Sequence, residues 1–206
     1  MIQRLISVFP VWRRFMPLFA RALAAFFVIG GGTGIAQQTA SPGAPKVIQI
    51  PYSMNWGDSV EKVRGMISST QAKELSCTEK SPGKVVLEAE GLGIGDPLLK
   101  KTLFTFKDGS LISVELQYGN AGWDAEKTLD FFDRTRRRID ERYGTGTLIV
   151  NKVKEHPEGE KVPREMSYTL IIYQWNQPTV SLELNFYSVE DGDKSLRIVS
   201  LNYKTP

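Results

Sequence analysis

The stretch "KKTLFTFKDGSLISVELQY", residues 100–118, decides the fold. Apolar and polar residues alternate with a period of two on both sides of Asp108–Gly109. That is the pattern of two half-buried strands joined by a tight turn. The length of the loop sets the register. A two-residue Asp108–Gly109 turn puts Phe104 opposite Ser113 and turns the apolar faces away from each other. A three-residue loop, Lys107 to Gly109 with Gly109 left-handed, puts Phe104 opposite Ile112 and matches the faces. The longer loop with its bulge is the expectation.

Working upstream, "KVVLEAE" (84–90) reads as a further strand, separated from the hairpin by "GLGIGDP" (91–97). Those glycines lie between strands, with no helix N-terminus after them to hold a phosphate. The segment "CTEKSPG" (77–83) is polar and shows no period. Before it, "DSVEKVRGMI" (58–67) announces a helix: Asp58 is the expected N-cap, with Glu61 three residues on in a capping-box arrangement. Val60, Val63 and Ile67 then fall on one helical face.

Downstream, "WDAEKTLDFFDRTRRRIDERYG" (123–144) carries the clearest helical period. Leu129, Phe132, Arg136, Ile139 and Tyr143 follow at alternating spacings of three and four, and Gly144 stands at the C-terminal cap. Arg134, Arg136, Arg137 and Arg138 look like a nucleic-acid stripe in isolation. Asp130, Asp133, Asp140 and Glu141 lie within one turn of them, so ordinary surface pairs are expected instead. Four strands follow: "TLIVNKV" (147–153), "MSYTLIIYQW" (166–175), "TVSLELNFY" (179–187) and "SLRIVSLNYK" (195–204). In the third, Val180, Leu182, Leu184 and Phe186 alternate with Thr179, Ser181, Glu183 and Asn185, one face for a core and one for water. Helix plus three strands, then helix plus four, predict an α+β domain over residues 46–206, built as an antiparallel sheet with helices on one face. Its halves, about 46–120 and 121–206, read as diverged copies of one plan.

The first 45 residues read differently. A basic start, a short apolar run "ALAAFFVIGGGTGIA" (22–36) and a small-residue end have the layout of a secretory signal peptide, with cleavage expected after Ala36. The run is shorter than the roughly 20 apolar residues a spanning helix needs, and it is rich in glycine. Retention as an anchor is the alternative. Met16 is a second candidate start, and Arg13–Arg14 gives only a poor twin-arginine pattern. "QQTASPGAP" (37–45) is polar, without periodicity, and expected to be a disordered linker. Residues 1–36 hold four Arg and no acid, so the remaining 170 carry 22 Lys and Arg against 23 Asp and Glu. A formal charge of −1 leaves no basic excess for nucleic-acid binding. With the leader removed, no stable membrane span is expected.

Reactive chemistry is sparse. Cys77 is the one cysteine, so no disulfide forms within the chain. The one histidine, His156, has Glu155, Glu158 and Glu160 beside it, but a zinc site usually draws more than one His or Cys. Glu88 and Glu90 share a strand face, as a solvated face does, without a second constellation to make them a glycosidase pair. No catalytic, metal or cofactor residue is assigned. Aromatic residues offer more. Tyr173 and Trp175 share one face of the 166–175 strand, while Tyr168, Leu170 and Ile172 share the other, and exposed aromatics anchor protein interfaces. Tyr173 and Trp175 are the candidate partner-binding residues. Trp56 and Trp123 precede the two helices and are expected to pack at their starts.

The segments "WGDSVEKVRGMI", "FTFKDGSLISVEL", "RYGTG", "YQW" and "TVSLELNF", taken together, resemble exported bacterial proteins of the BamE-like (SmpA/OmlA) or β-lactamase-inhibitor-protein-like fold. The resemblance covers most of residues 46–204. It implies helices on one sheet face and an opposite face free to grip a protein partner in the cell envelope. It transfers no functional residue. The lipoprotein members need an acceptor cysteine at the processed N-terminus, and the inhibitor members need disulfides; neither is present here. The expected function is a non-enzymatic, exported binding or envelope-associated domain. A hydrolase using scattered carboxylates or Cys77, and a small-ligand carrier, are the alternatives.

Overall fold

The computed structural model describes residues 46–93, 96–154, 166–191 and 194–206. The expected leader (1–36), the expected linker (37–45) and the segment carrying His156 lie outside the described residues. Eight strands form one antiparallel sheet: β1 (Lys73–Ser81), β2 (Lys84–Glu90), β3 (Leu99–Lys107), β4 (Ser110–Tyr118), β5 (Thr147–Lys154), β6 (Met166–Asn176), β7 (Ser181–Asp191) and β8 (Lys194–Lys204). Their order is β1-β2-β3-β4-β8-β7-β6-β5. Two four-strand meanders are thus sewn together where β8 pairs with β4. A helix precedes each meander: α1 (Val60–Ser68) and α2 (Ala125–Tyr143).

Strand β1 is the element that alternation did not reveal. It is an edge strand with most of its side chains in water, so neither face selects apolar residues. It forms because Pro82 and Gly83 turn the chain, with Gly83 at φ +73°, and Ser81 meets Lys84 across the turn.

The Lys107–Ser110 turn corrects the expected register. Its loop has two residues, with both Asp108 (φ +50°) and Gly109 (φ +79°) left-handed, which is the type I′ geometry that suits strand twist. The bulge lies farther in: Phe106 faces Leu111 and Thr105 faces Ser113, leaving Ile112 as the extra residue. Phe104 therefore meets Val114, not Ile112. The apolar faces match as sterics demand, by a bulge inside the strand instead of a longer loop.

Helix caps show one shift from expectation. The α1 N-cap is Ser59, whose hydroxyl accepts from the Lys62 amide. Asp58 is occupied elsewhere: its carboxylate accepts from the Asn55 amide at 2.8 Å and from Lys62 Nζ, and its carbonyl accepts from Leu111 N–H. In α2, Asp124 caps the Lys127 amide at 2.8 Å. Gly144 ends that helix at φ +91°, ψ 173°, a region essentially reserved for glycine. The α2 arginines Arg134 and Arg136 take Asp130 and Asp140 as partners one turn away, each at 2.9 Å.

Antiparallel partners point to the same face, so one register line fixes the layers. Leu87, Phe104, Val114, Tyr203, Leu182 and Trp175 are successive partners across β2 to β6. Val63 and Ile67 of α1 pack on the β2–β4 end of this face, and Phe132 and Ile139 of α2 on the β6–β8 end. The expected core face of β7, from Val180 to Phe186, is buried here. Both helices therefore cover the same side of the sheet. The segment before α1 closes the second cluster: Gln177 accepts from Ile48 N–H at 2.7 Å and donates to Lys46 O, and Trp56 Nε1 donates to Thr179 O.

Candidate functional site

Trp175 and Tyr173 stand on the helix-covered face. Trp175 is only 4% exposed, in the core with Phe132 and Leu182. Its indole N–H donates to Gly144 O at 2.8 Å and to Asp140 Oδ1 at 3.1 Å. Gly146 lies against the same ring: a Cβ there would sit 2.6 Å from Cζ2 and 2.8 Å from Nε1. Tyr173 is half-buried against Phe132, with the Arg136 guanidinium 5.1 Å from its ring centre. Trp175, expected to reach a partner, thus fastens the end of α2 to the sheet, whereas Tyr173 keeps part of its ring in solvent. Burial beneath α2 is the physical reason, because Asp140 and Gly144 supply the acceptors that a buried indole requires.

The uncovered face therefore carries Tyr168, Leu170 and Ile172, and the register shows their neighbours. Ile172 pairs with Asn185 and Val150, Leu170 with Tyr187, and Tyr168 with Val189. Tyr187 pairs onward with Ile198, and Val189 with Leu196. This corner of the open face is apolar across β6, β7 and β8, while on β5 the partners of Leu170 and Tyr168 are Lys152 and Lys154. Tyr187 is 38% exposed and Leu196 is 53% exposed.

The rest of the open face is polar and answers its own hydrogen-bonding needs. Ser113 donates to Asn202 at 2.7 Å, Asn185 to Ser200 at 3.2 Å, and Gln117 to Glu115 at 3.1 Å. Lys204 pairs with Glu183 at 2.6 Å. Polar side chains tied to each other have little left to offer a ligand, whereas the apolar corner has no cover of its own among the described residues. Contiguous exposed apolar surface marks an interaction site more often than isolated apolar residues do.

Two features border this corner. On one side is the edge strand β5, whose exposed Leu148 and Val153 pair with Tyr173 and Thr169 and so belong to the helix side of the sheet. On the other, the sheet has a notch. Pairing of β4 with β8 ends at Tyr118–Val199, while β8 continues back to Lys194 against β7 alone. The β4 chain turns away there, with Trp123 N–H donating to Asn120 O. A cleft of about 420 Å³ opens in the notch, lined by Trp123, Leu196, Ile198, Lys100, Lys101 and Arg197 among others.

The sparse reactive groups stay apart. Cys77, which as a lone cysteine is expected to be a small buried apolar side chain, is instead exposed on the edge strand β1. Glu88 pairs with Lys101 at 3.4 Å. Among the described residues, no group of three His, Cys, Asp or Glu side chains could hold a metal ion. No helix among them is long and apolar enough to cross a membrane. The missed signal was legible in part: Tyr187, Leu196 and Ile198 are apolar residues out of phase with the core face of their strands.

No family model, curated protein or solved structure matches this chain.

Proposed function

We propose that this is an exported, non-enzymatic domain that binds a protein partner of the cell envelope through the apolar corner of its open sheet face. One observation carries the proposal: among the described residues both helices cover one face of the sheet, and the other presents Tyr187 and Leu196 to solvent beside Leu170 and Ile172. Export rests on the leader-like layout of residues 1–36. Kinship with BamE-like or β-lactamase-inhibitor-protein-like proteins rests on the pattern of caps, turns and alternation. The element order α1, β1–β4, then α2, β5–β8 supports descent of the two halves from one helix-plus-strands unit.

The test is capture from envelope extract with the tagged protein and with Tyr187→Asp and Leu196→Asp, each first shown to unfold at the wild-type urea midpoint. A charge placed in an apolar contact should abolish recovery of the partner. Equal recovery by all three proteins refutes the proposal.

A further inference from the structure

The notch beside β8 has the features of a strand-docking groove. Over Lys194–Ile198, β8 has β7 on one side and, among the described residues, no strand on the other, so every second residue turns its backbone N–H and C=O outward. No backbone hydrogen bond to that edge exists among the described residues. Five free residues make an edge about 16 Å long. At "GNAG" (119–122) the β4 chain leaves the sheet through a turn in which Gly122 N–H donates to Asn120 Oδ1.

The register states what a strand entering there would meet. Leu196 and Ile198 project to the open face, whereas Arg197 projects to the helix side, opposite Ser188 of β7. The cleft walls include three basic side chains and, among the described residues, no acidic one. A bulge at Lys100 brings that residue and Lys101 together at the rim. Lys101 is shared with Glu88 and Arg197 with Glu190. Lys100 has only the Pro97 carbonyl as a partner among the described residues. The Nε–H of Arg197 is buried without an acceptor among them, so that guanidinium is one hydrogen bond short.

We propose that the notch binds an extended peptide segment that adds as a strand to β8, with apolar side chains beside Leu196 and Ile198 alternating with acidic ones toward Arg197 and Trp123, its net negative charge drawn also by Lys100 and Lys101 at the rim. This names the partner chemistry of the open-face reading and rests on it. Backbone pairing supplies affinity in this mode, and the alternate side chains supply specificity.

The probe is a fluorescein-labelled, end-capped hexapeptide alternating glutamate and valine, followed by anisotropy with the whole protein. It should bind saturably. N-methylation of alternate residues removes the donors a strand needs and should weaken binding about tenfold or more. Lys100→Glu, an exposed position outside the core, should weaken it several-fold. The lysine–valine counterpart and a single-stranded oligonucleotide should not compete. Undiminished binding of the N-methylated peptide, equal binding of the lysine peptide, competition by the oligonucleotide, or no binding of the first peptide each overturns the proposal. Tyr187 lies outside the cleft, so partner capture that still depends on Tyr187 while the peptide fails discards the notch alone. Loss of that dependence discards the open-face reading itself.

Discussion

Gly146→Ala is a one-atom test of how the end of α2 is fastened. The position needs no glycine for backbone reasons, because its φ is not positive. Its constraint is the Trp175 ring, which an added methyl would meet at 2.6 Å from Cζ2 and 2.8 Å from Nε1. The ring cannot retreat freely, since its N–H is held by Gly144 O and Asp140 Oδ1. Overpacking of this kind costs about 1–3 kcal/mol. Weakening the two indole hydrogen bonds adds about 1 kcal/mol. A loss near 3 kcal/mol is expected, or about 6–12 °C in thermal midpoint for a domain of this size. Urea unfolding followed by circular dichroism measures it without relying on tryptophan emission. The double variant with Trp175→Phe supplies the control: a smaller ring makes room for the methyl, so the two losses should fall short of additive by about 1–2 kcal/mol. An unchanged midpoint for Gly146→Ala, or strict additivity in the pair, refutes the packing of Gly146 against Trp175.

Two titrations probe other parts of the same architecture. Burial pushes the Tyr203 phenol up to about 12, with Tyr143 nearby adding to the effect. A raised folded value means that its contribution is complete below the unfolded value near 10 and is lost as pH climbs through about 12. Tyr203→Phe should therefore match wild type at pH 7 and outlast it in alkaline unfolding; equal alkaline midpoints contradict this. At the start of α2, the Lys127 amide donating to Asp124 holds that carboxyl below its ordinary value, and the Lys127 side chain assists. A depressed folded value contributes stability above about pH 4 that disappears as pH falls through the folded value. Wild type should thus exceed Asp124→Asn in thermal midpoint at pH 7 and converge with it in acid. A gap that persists in acid sinks the cap assignment.

The apolar patterning made all seven expected strands, β2 to β8, and both helices legible, because burial on one face forces a choice at every second residue. The bounds of β2 and β4 coincide with the segments read from sequence. Strand β1 escaped because both of its faces are wet, so pairing with β2 holds it and apolar spacing does not. The hairpin register escaped because a bulge at Ile112 and a longer loop satisfy the same face-matching rule, and only the geometry distinguishes them. The choice of face on β6 was open for a similar reason. Both sets of residues on that strand are apolar, and the fate of Trp175 depends on Asp140 and Gly144, thirty-odd positions earlier in the chain. The notch was invisible in sequence, since it arises from β8 outrunning β4.

The most direct test of the open-face claim is site-specific photo-crosslinking in cells that make the protein. A photoreactive amino acid at Tyr187, on the apolar corner, is compared with one at Arg137, an exposed position on α2. The account predicts a discrete, heavier adduct from position 187 and none from position 137. Adducts of equal yield from both, or none from 187, would contradict it.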